Sequence, residues 1–303
     1  MRPVRLLPAA AALAGICTAA ACGTRPAAPS PVSAPATAGP AAPARAGATV
    51  SPPGPPGVTV SRVQTADGSL VTLATFHGPV RYVLHNGSQD PGAGYAALVR
   101  AGPSIGAAER AHVLAAFNGG FLMRSRAGGY EQEGHVLRSL RRGLASLVID
   151  RSGHGRIGVW GVTVPAAGEG VYSVRQNLWA LVWHGKRTPE TDKWRRWGGT
   201  IGHTEYVARS ALGQTASGEL VYAASMSTTP ADLATALVRA GAQTGMELDI
   251  NPEWVQLDTA PVPGGLLAAA IPDQVRPASQ YLAGWTRDFI TVFAPQGPAN
   301  TAG

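Results

Sequence analysis

Short apolar runs broken by polar positions dominate the chain from Val58 onward, and they predict strands more often than helices. Residues 58–63 and 70–76 alternate around Asp67-Gly68, a dipeptide typical of a tight hairpin turn. Residues 81–85 read as another strand. The continuous apolar run 113–117 leads straight into Asn118-Gly119-Gly120-Phe121. Residues 144–150 and 156–160 pair plausibly across the turn at 151–155, 171–182 adds further strand, and 209–213 faces 219–224 as a hairpin. Residues 104–112 have helical character. The clearest helix follows at 230–240: Thr229 caps it, Pro230 takes the first position, Asp232 stands three residues after the cap, Leu233, Ala236 and Leu237 form the apolar stripe, and Gly241 ends it. Flanked by strands at 219–224 and 246–250, this helix completes a β-α-β unit, and 288–292 gives a final strand. The expected fold class is α+β: a single strand-rich domain over 58–297, with a mixed sheet and packed helices.

Period-two alternation puts Met246, Leu248 and Ile250 on one face of a strand and Glu247, Asp249 and Asn251 on the other, with Glu253 just beyond Pro252. Carboxylates on an apolar strand are costly to bury unless paired, protonated or used, which places the candidate active site here. A structural ion pair with a buried arginine is the alternative for the same residues. Asn118 offers a donor and an acceptor, and Gly119 and Gly120 could let a substrate approach the backbone, or simply form a turn. Arg175, Gln176 and Asn177 set three large polar groups in an apolar context, as a reader of sugar or phosphate or as a satisfied buried network. Arg209 could clamp a phosphate bidentately beside Ser210, or be an ordinary hairpin arginine. Ser210 lacks the G-x-S-x-G elbow of a serine nucleophile. Glu247, Asp249 and Asn251 are hard oxygen ligands able to take a divalent cation, and no cofactor is required. Residues 153–158 match G-x-G-x-x-G but precede a strand, so no helix N-terminus would face a pyrophosphate.

The N-terminus changes the picture of where this domain works. Residues 1–22 read as an export signal ending in Ala19-Ala20-Ala21-Cys22-Gly23, which is similar to a bacterial lipobox with Cys22 as the lipidated residue. A plain secretory signal cleaved near Ala21 is the alternative. Residues 23–57 form a disordered Pro/Ala-rich tether, and 298–303 a flexible tail. The expected location is the outer face of the cell membrane, held by the lipid anchor alone, or the exterior. Cys17 and Cys22 are the only cysteines, which excludes a disulfide, a thiolate zinc site or a cysteine nucleophile in the folded part. The formal net charge is +7, and charged residues make up only 14% of the chain. Such a chain suits an anionic partner, a phosphate-bearing glycan or cell-wall polymer, and no nucleic-acid motif is present.

Taken in order, Ala116-Phe117-Asn118-Gly119-Gly120-Phe121, Arg209-Ser210-Ala211-Leu212-Gly213, the helix at 229–241 and Leu248-Asp249 resemble the recurring pattern of the phosphodiester glycosidase family. That family continues Leu-Asp-Gly-Gly-Gly-Ser, whereas this chain reads Leu248-Asp249-Ile250-Asn251-Pro252-Glu253. The resemblance implies a hydrolase that cleaves a sugar-1-phosphodiester, such as N-acetylglucosamine linked through phosphate. Asp249 and Glu247 would then supply nucleophile or base and acid, Arg209 the phosphate clamp with Gly119 and Gly120, Asn118 a sugar or phosphate contact, and Asn251 and Glu253 the rim. The other expected activity class is a non-catalytic lipoprotein that binds anionic cell-wall polysaccharide.

Overall fold

The computed structural model describes residues 56–198 and 203–295. The segments expected to be an export signal with Cys22, a tether up to residue 55 and a tail lie outside the described residues.

Three antiparallel sheets build the domain. The largest has seven strands in the order Gly57–Gln64, Leu70–His77, Leu220–Thr228, Val207–Thr215, Ala242–Glu247, Ala180–Trp183 and Lys186–Arg187. A second runs Ala268–Ala269, Leu257–Thr259, Val113–Asn118, Phe289–Phe293 and Arg81–His85. A third runs His135–Arg138, Tyr130–Gln132, Ser173–Gln176, Ala145–Ile149 and Gly155–Val159.

The alternation within the seven-stranded sheet decides what packs where. Val71, Leu73, Ala211, Val221 and Ala223 face the helix Pro230–Arg239 through Leu233, Ala234, Ala236 and Leu237. Their neighbours Ala74, Phe76, Leu212, Tyr222 and Ala224 face the opposite way, into a core shared with Phe117, Ile290 and Val292 of the second sheet and Tyr130, Leu147 and Ile157 of the third. One helix therefore covers one face of this sheet while the other two sheets close the opposite face.

This architecture corrects the α+β expectation of a mixed sheet with packed helices. Every strand pairing within the sheets is antiparallel. Of the three α-helices among the described residues, only Pro230–Arg239 exceeds four residues. The β-α-β reading fails as a parallel pair because Val207–Thr215 inserts between Leu220–Thr228 and Ala242–Glu247 and runs antiparallel to both. The helix still spans the gap, with Thr229 Oγ1 accepting from Asp232 N at 3.1 Å. The helical stretch expected at 104–112 reduces to a 3₁₀ turn, Arg110–His112, and 171–182 splits into two strands belonging to different sheets.

Candidate active site

Three segments far apart in sequence meet where the sheets abut. Leu248 and Asp249 extend beyond the strand Ala242–Glu247 and stay bonded to its neighbour: Leu248 N donates to Ser210 O at 2.7 Å, and Ser210 N donates to Asp249 O at 3.1 Å. Asp249 N in turn donates to Gly119 O at 3.0 Å. Side chains lock the junction. Ser210 Oγ donates to Asp249 O at 2.8 Å and accepts from Asn118 Nδ2 at 2.9 Å, while Asn118 Oδ1 accepts from Tyr222 Oη at 2.7 Å and from Gln256 N at 3.1 Å. Asn118 and Ser210 are buried and fully engaged. Their observed role is to hold the Asn-Gly-Gly turn against the Asp249 segment, which replaces the substrate contact expected of each.

The junction sets Asp249 in a cleft of about 600 Å³. Phe121, Leu122, Leu144, Leu178, Trp179 and Ile250 supply its apolar lining, and Arg124, Arg126, Arg141 and Arg287 its charge. Asp249 is the one carboxylate on the wall among the described residues. Its Oδ1 accepts from Ile250 N at 2.8 Å and Asn251 N at 3.2 Å, a small backbone nest, and its Oδ2 pairs with Arg287 Nη1 at 2.7 Å. Burial raises the Asp249 carboxyl above its ordinary range, against the pull of Arg287 and the two backbone N–H groups. Asn251 reaches the cleft, whereas Glu253 is turned to an ion pair with Arg276 at 2.7 Å. Arg124 is carried by the 3₁₀ turn Met123–Ser125, whose first N–H donates to Asp90 Oδ2 at 2.8 Å.

The other expected catalytic pair lies beneath this surface. Arg209 and Glu247 are completely buried and bonded to each other at 2.8 Å. Arg209 also donates to Trp197 O at 2.8 Å and to Thr228 O at 3.2 Å, so its guanidinium is spent on the scaffold and cannot clamp a phosphate. Burial pushes the Glu247 carboxyl up to about 7, opposed by Arg209, and Glu247 Oε2 has no hydrogen-bond partner. The alternation that put Glu247 beside Asp249 ends with the strand at Glu247. With Arg209 on one carboxylate and Arg287 on the other, the donor set Glu247, Asp249 and Asn251 does not fit a divalent cation, and no metal-holding cluster of acids, histidines or cysteines occurs among the described residues.

Arg175, Gln176 and Asn177 are likewise scaffold. Arg175 Nε pairs with Asp288 Oδ2 at 2.7 Å, Gln176 bridges Gly129 N and Ser146 Oγ at 3.0 Å each, and Asn177 Nδ2 donates to Glu247 O at 3.0 Å. The glycines make room for this network rather than for a substrate: a Cβ on Gly119 would stand 1.9 Å from Asp288 Oδ2, and one on Gly120 2.8 Å from Arg175 Cζ. Residue-by-residue reading passed over Arg287, Arg124 and Arg126. The only local signal for Arg287 was a second charged pair, Arg287-Asp288, at the mouth of an apolar strand.

No family model matches the chain, and no curated protein matches it. Among solved structures it is similar to the zebrafish N-acetylglucosamine-1-phosphodiester alpha-N-acetylglucosaminidase catalytic domain auto-inhibited by its pro-peptide, with 13% identity over 80% of this chain and 83% of that one and a TM-score of 0.49. It is also similar to a hypothetical protein from Synechocystis, with 12% identity over 79% of this chain and 62% of that one and a TM-score of 0.43. Both likenesses are distant and establish no family membership.

Proposed function

We propose that this chain hydrolyses a glycosyl phosphodiester in the cleft above Asp249, as an exported domain held at the outer face of the cell membrane and acting on a cell-envelope or extracellular glycan. The observation that carries this reading is the lining of the cleft: one carboxylate, four arginines and several apolar and aromatic side chains. The arginines suit a phosphate, and the apolar and aromatic side chains suit a sugar ring. The order of the Asn-Gly-Gly-Phe, Arg-Ser-Ala-Leu-Gly and Leu-Asp segments, which resembles that of phosphodiester glycosidases, points the same way.

A lone carboxylate is a sufficient set for this bond. An ordinary glycosidase needs a second carboxylic acid to protonate an alkoxide leaving group. In a glycosyl phosphodiester the group leaving the anomeric carbon is a phosphomonoester, whose second pKa is about 6, so it departs as an anion without a proton donor. Arg287 meets that charge as the bond between the anomeric carbon and the phosphate oxygen breaks, while Arg124, Arg126 and Arg141 hold the phosphate equally before and after cleavage. Asp249 takes a proton from the attacking water, whose oxygen becomes the new anomeric hydroxyl. Glu247 takes no part in the chemistry.

Incubation of the full chain with the methyl phosphodiester of N-acetylglucosamine 1-phosphate tests the reading. Free sugar and methyl phosphate are expected from the native chain and from Arg209→Lys, and neither product from Asp249→Asn. The engagement of both Asp249 oxygens favours the second reading, an anionic-glycan binder without turnover. Salt-sensitive retention of the glycan with no product at all would select that one.

A further inference from the structure

We infer that Trp254, Trp285 and Arg276 form a saccharide-stacking subsite beside the cleft, taking an uncharged pyranose unit of the glycan that carries the scissile phosphodiester. The inference builds on the cleft reading above and deepens it.

The two indoles lie with centroids 5.1 Å apart and planes inclined by 31°. Arg276 Cζ stands 4.5 Å from the Trp285 centroid and 5.0 Å from that of Trp254. The stack is joined to the candidate catalytic group through one side chain: Arg287, bonded to Asp249, lies 4.4 Å over the ring of Trp254. Trp285 nevertheless leaves 47% of its surface exposed, a costly arrangement for an indole that is otherwise immobilised.

Residues 251–254, which follow Asp249 closely, build this platform. Asn251 Oδ1 accepts from Glu253 N at 3.0 Å, and Asn251 O accepts from Trp254 N at 2.7 Å, which fixes the turn. Glu253 then holds Arg276 twice, through its carboxylate at 2.7 Å and its backbone carbonyl at 3.1 Å.

Charge identifies the ligand class. Both guanidiniums in the stack are already neutralised, Arg276 by Glu253 and Arg287 by Asp249. The exposed part of the stack is therefore the uncharged indole face of Trp285, unlike the cleft wall with Arg124, Arg126 and Arg141. Such a face matches the C–H side of a pyranose and offers little to a further phosphate.

Calorimetric titration of the full chain with tetrasaccharides of N-acetylglucosamine, glucose, galactose and mannose tests the subsite. At least one is expected to bind, with an affinity insensitive to salt and weakened about tenfold in Trp285→Ala. Trp285→Phe, which keeps a flat ring, should recover most of it. Trp285→Ala should turn over the one-sugar methyl phosphodiester as the native chain does. Absence of binding by all four sugars, or equal binding by Trp285→Ala, overturns the inference. Should the alanine variant fail to fold, quenching of indole fluorescence by acrylamide in Trp179→Phe, which removes the other exposed indole among the described residues, decides: a bound tetrasaccharide shields Trp285, and unaltered quenching overturns the subsite. If the hydrolase reading fails instead, the native chain turns over no phosphodiester while saccharide binding persists.

Discussion

Asp249 and Arg287 meet at 2.7 Å, with the carboxylate in a backbone nest on one side and the guanidinium resting on an indole on the other. Neither is free to reorient, so the cleft offers a fixed negative point beside a fixed positive one. Arg287→Gln keeps the side chain's bulk and removes its charge. It is expected to lower kcat/KM for a sugar-1-phosphodiester about a hundredfold and to cost about 2 kcal/mol of stability, because the carboxylate remains largely buried without its partner. Steady-state kinetics and urea unfolding measure both.

The buried pair Arg209–Glu247 should behave as structure. Arg209→Met is expected to cost about 3–5 kcal/mol by leaving Glu247 alone in the core. The double variant Arg209→Met, Glu247→Leu should recover much of that loss, and a double-mutant cycle by urea denaturation reads the coupling. A catalytic Arg209 would instead lose activity with stability intact.

Stability should fall as pH rises through the neutral range. Burial holds Glu247 up to about 7 and Asp258 up to about 6, and Asp249 is raised by the same cause. The folded state therefore binds protons that the unfolded chain has released, so stability is fully present below the ordinary carboxylate range and is lost as pH rises through about 7. Asp67 and Asp150 are shifted the other way and act only at more acid pH, while His85, held down to about 4 by burial, offsets part of the fall below neutrality. Unfolding free energies at pH 5 and pH 8 should differ by about 2 kcal/mol or more, and Glu247→Gln should flatten the difference.

Gly119→Ala should be severe, because the added carbon would lie 1.9 Å from a carboxylate oxygen held by Arg175. A loss of about 3 kcal/mol or more is expected, whereas Gly170→Ala, with open space around it, should be near neutral. Thermal melts of the two variants make the comparison.

Arg124 is exposed on the cleft wall, and Arg124→Ala should act on binding alone. KM for the phosphodiester should rise several-fold with kcat unaltered, and the difference from the native chain should shrink as salt is added.

The hairpins were legible because period-two alternation is a local property: the strands Val207–Thr215 and Leu220–Thr228 stand where 209–213 and 219–224 were expected. The order of strands in the sheet was not, since nothing in the run from 219 to 250 shows that an earlier strand will insert between the two that the helix connects. The same limit applied to the arginines. Arg209 stands within an apolar strand and Arg287 just before one, and only packing reveals that the first spends its donors on Glu247 and backbone carbonyls beneath the cleft while the second lines it.

Residue type and spacing by themselves determined that carboxylates would sit at the end of an apolar strand, that Asn118-Gly119-Gly120 would form a tight feature after another, and that Thr229 and Pro230 would start a helix. These follow from desolvation cost, backbone freedom and capping, which act over a few neighbouring residues. Which carboxylate met the cleft, which guanidinium it met, and that Gly119 and Gly120 serve Asp288 and Arg175 were decided by tertiary structure alone. Those outcomes depend on contacts between residues 38 or more positions apart, such as Asp249 with Arg287 and Arg175 with Asp288, and such contacts exist only once three sheets have packed against one another.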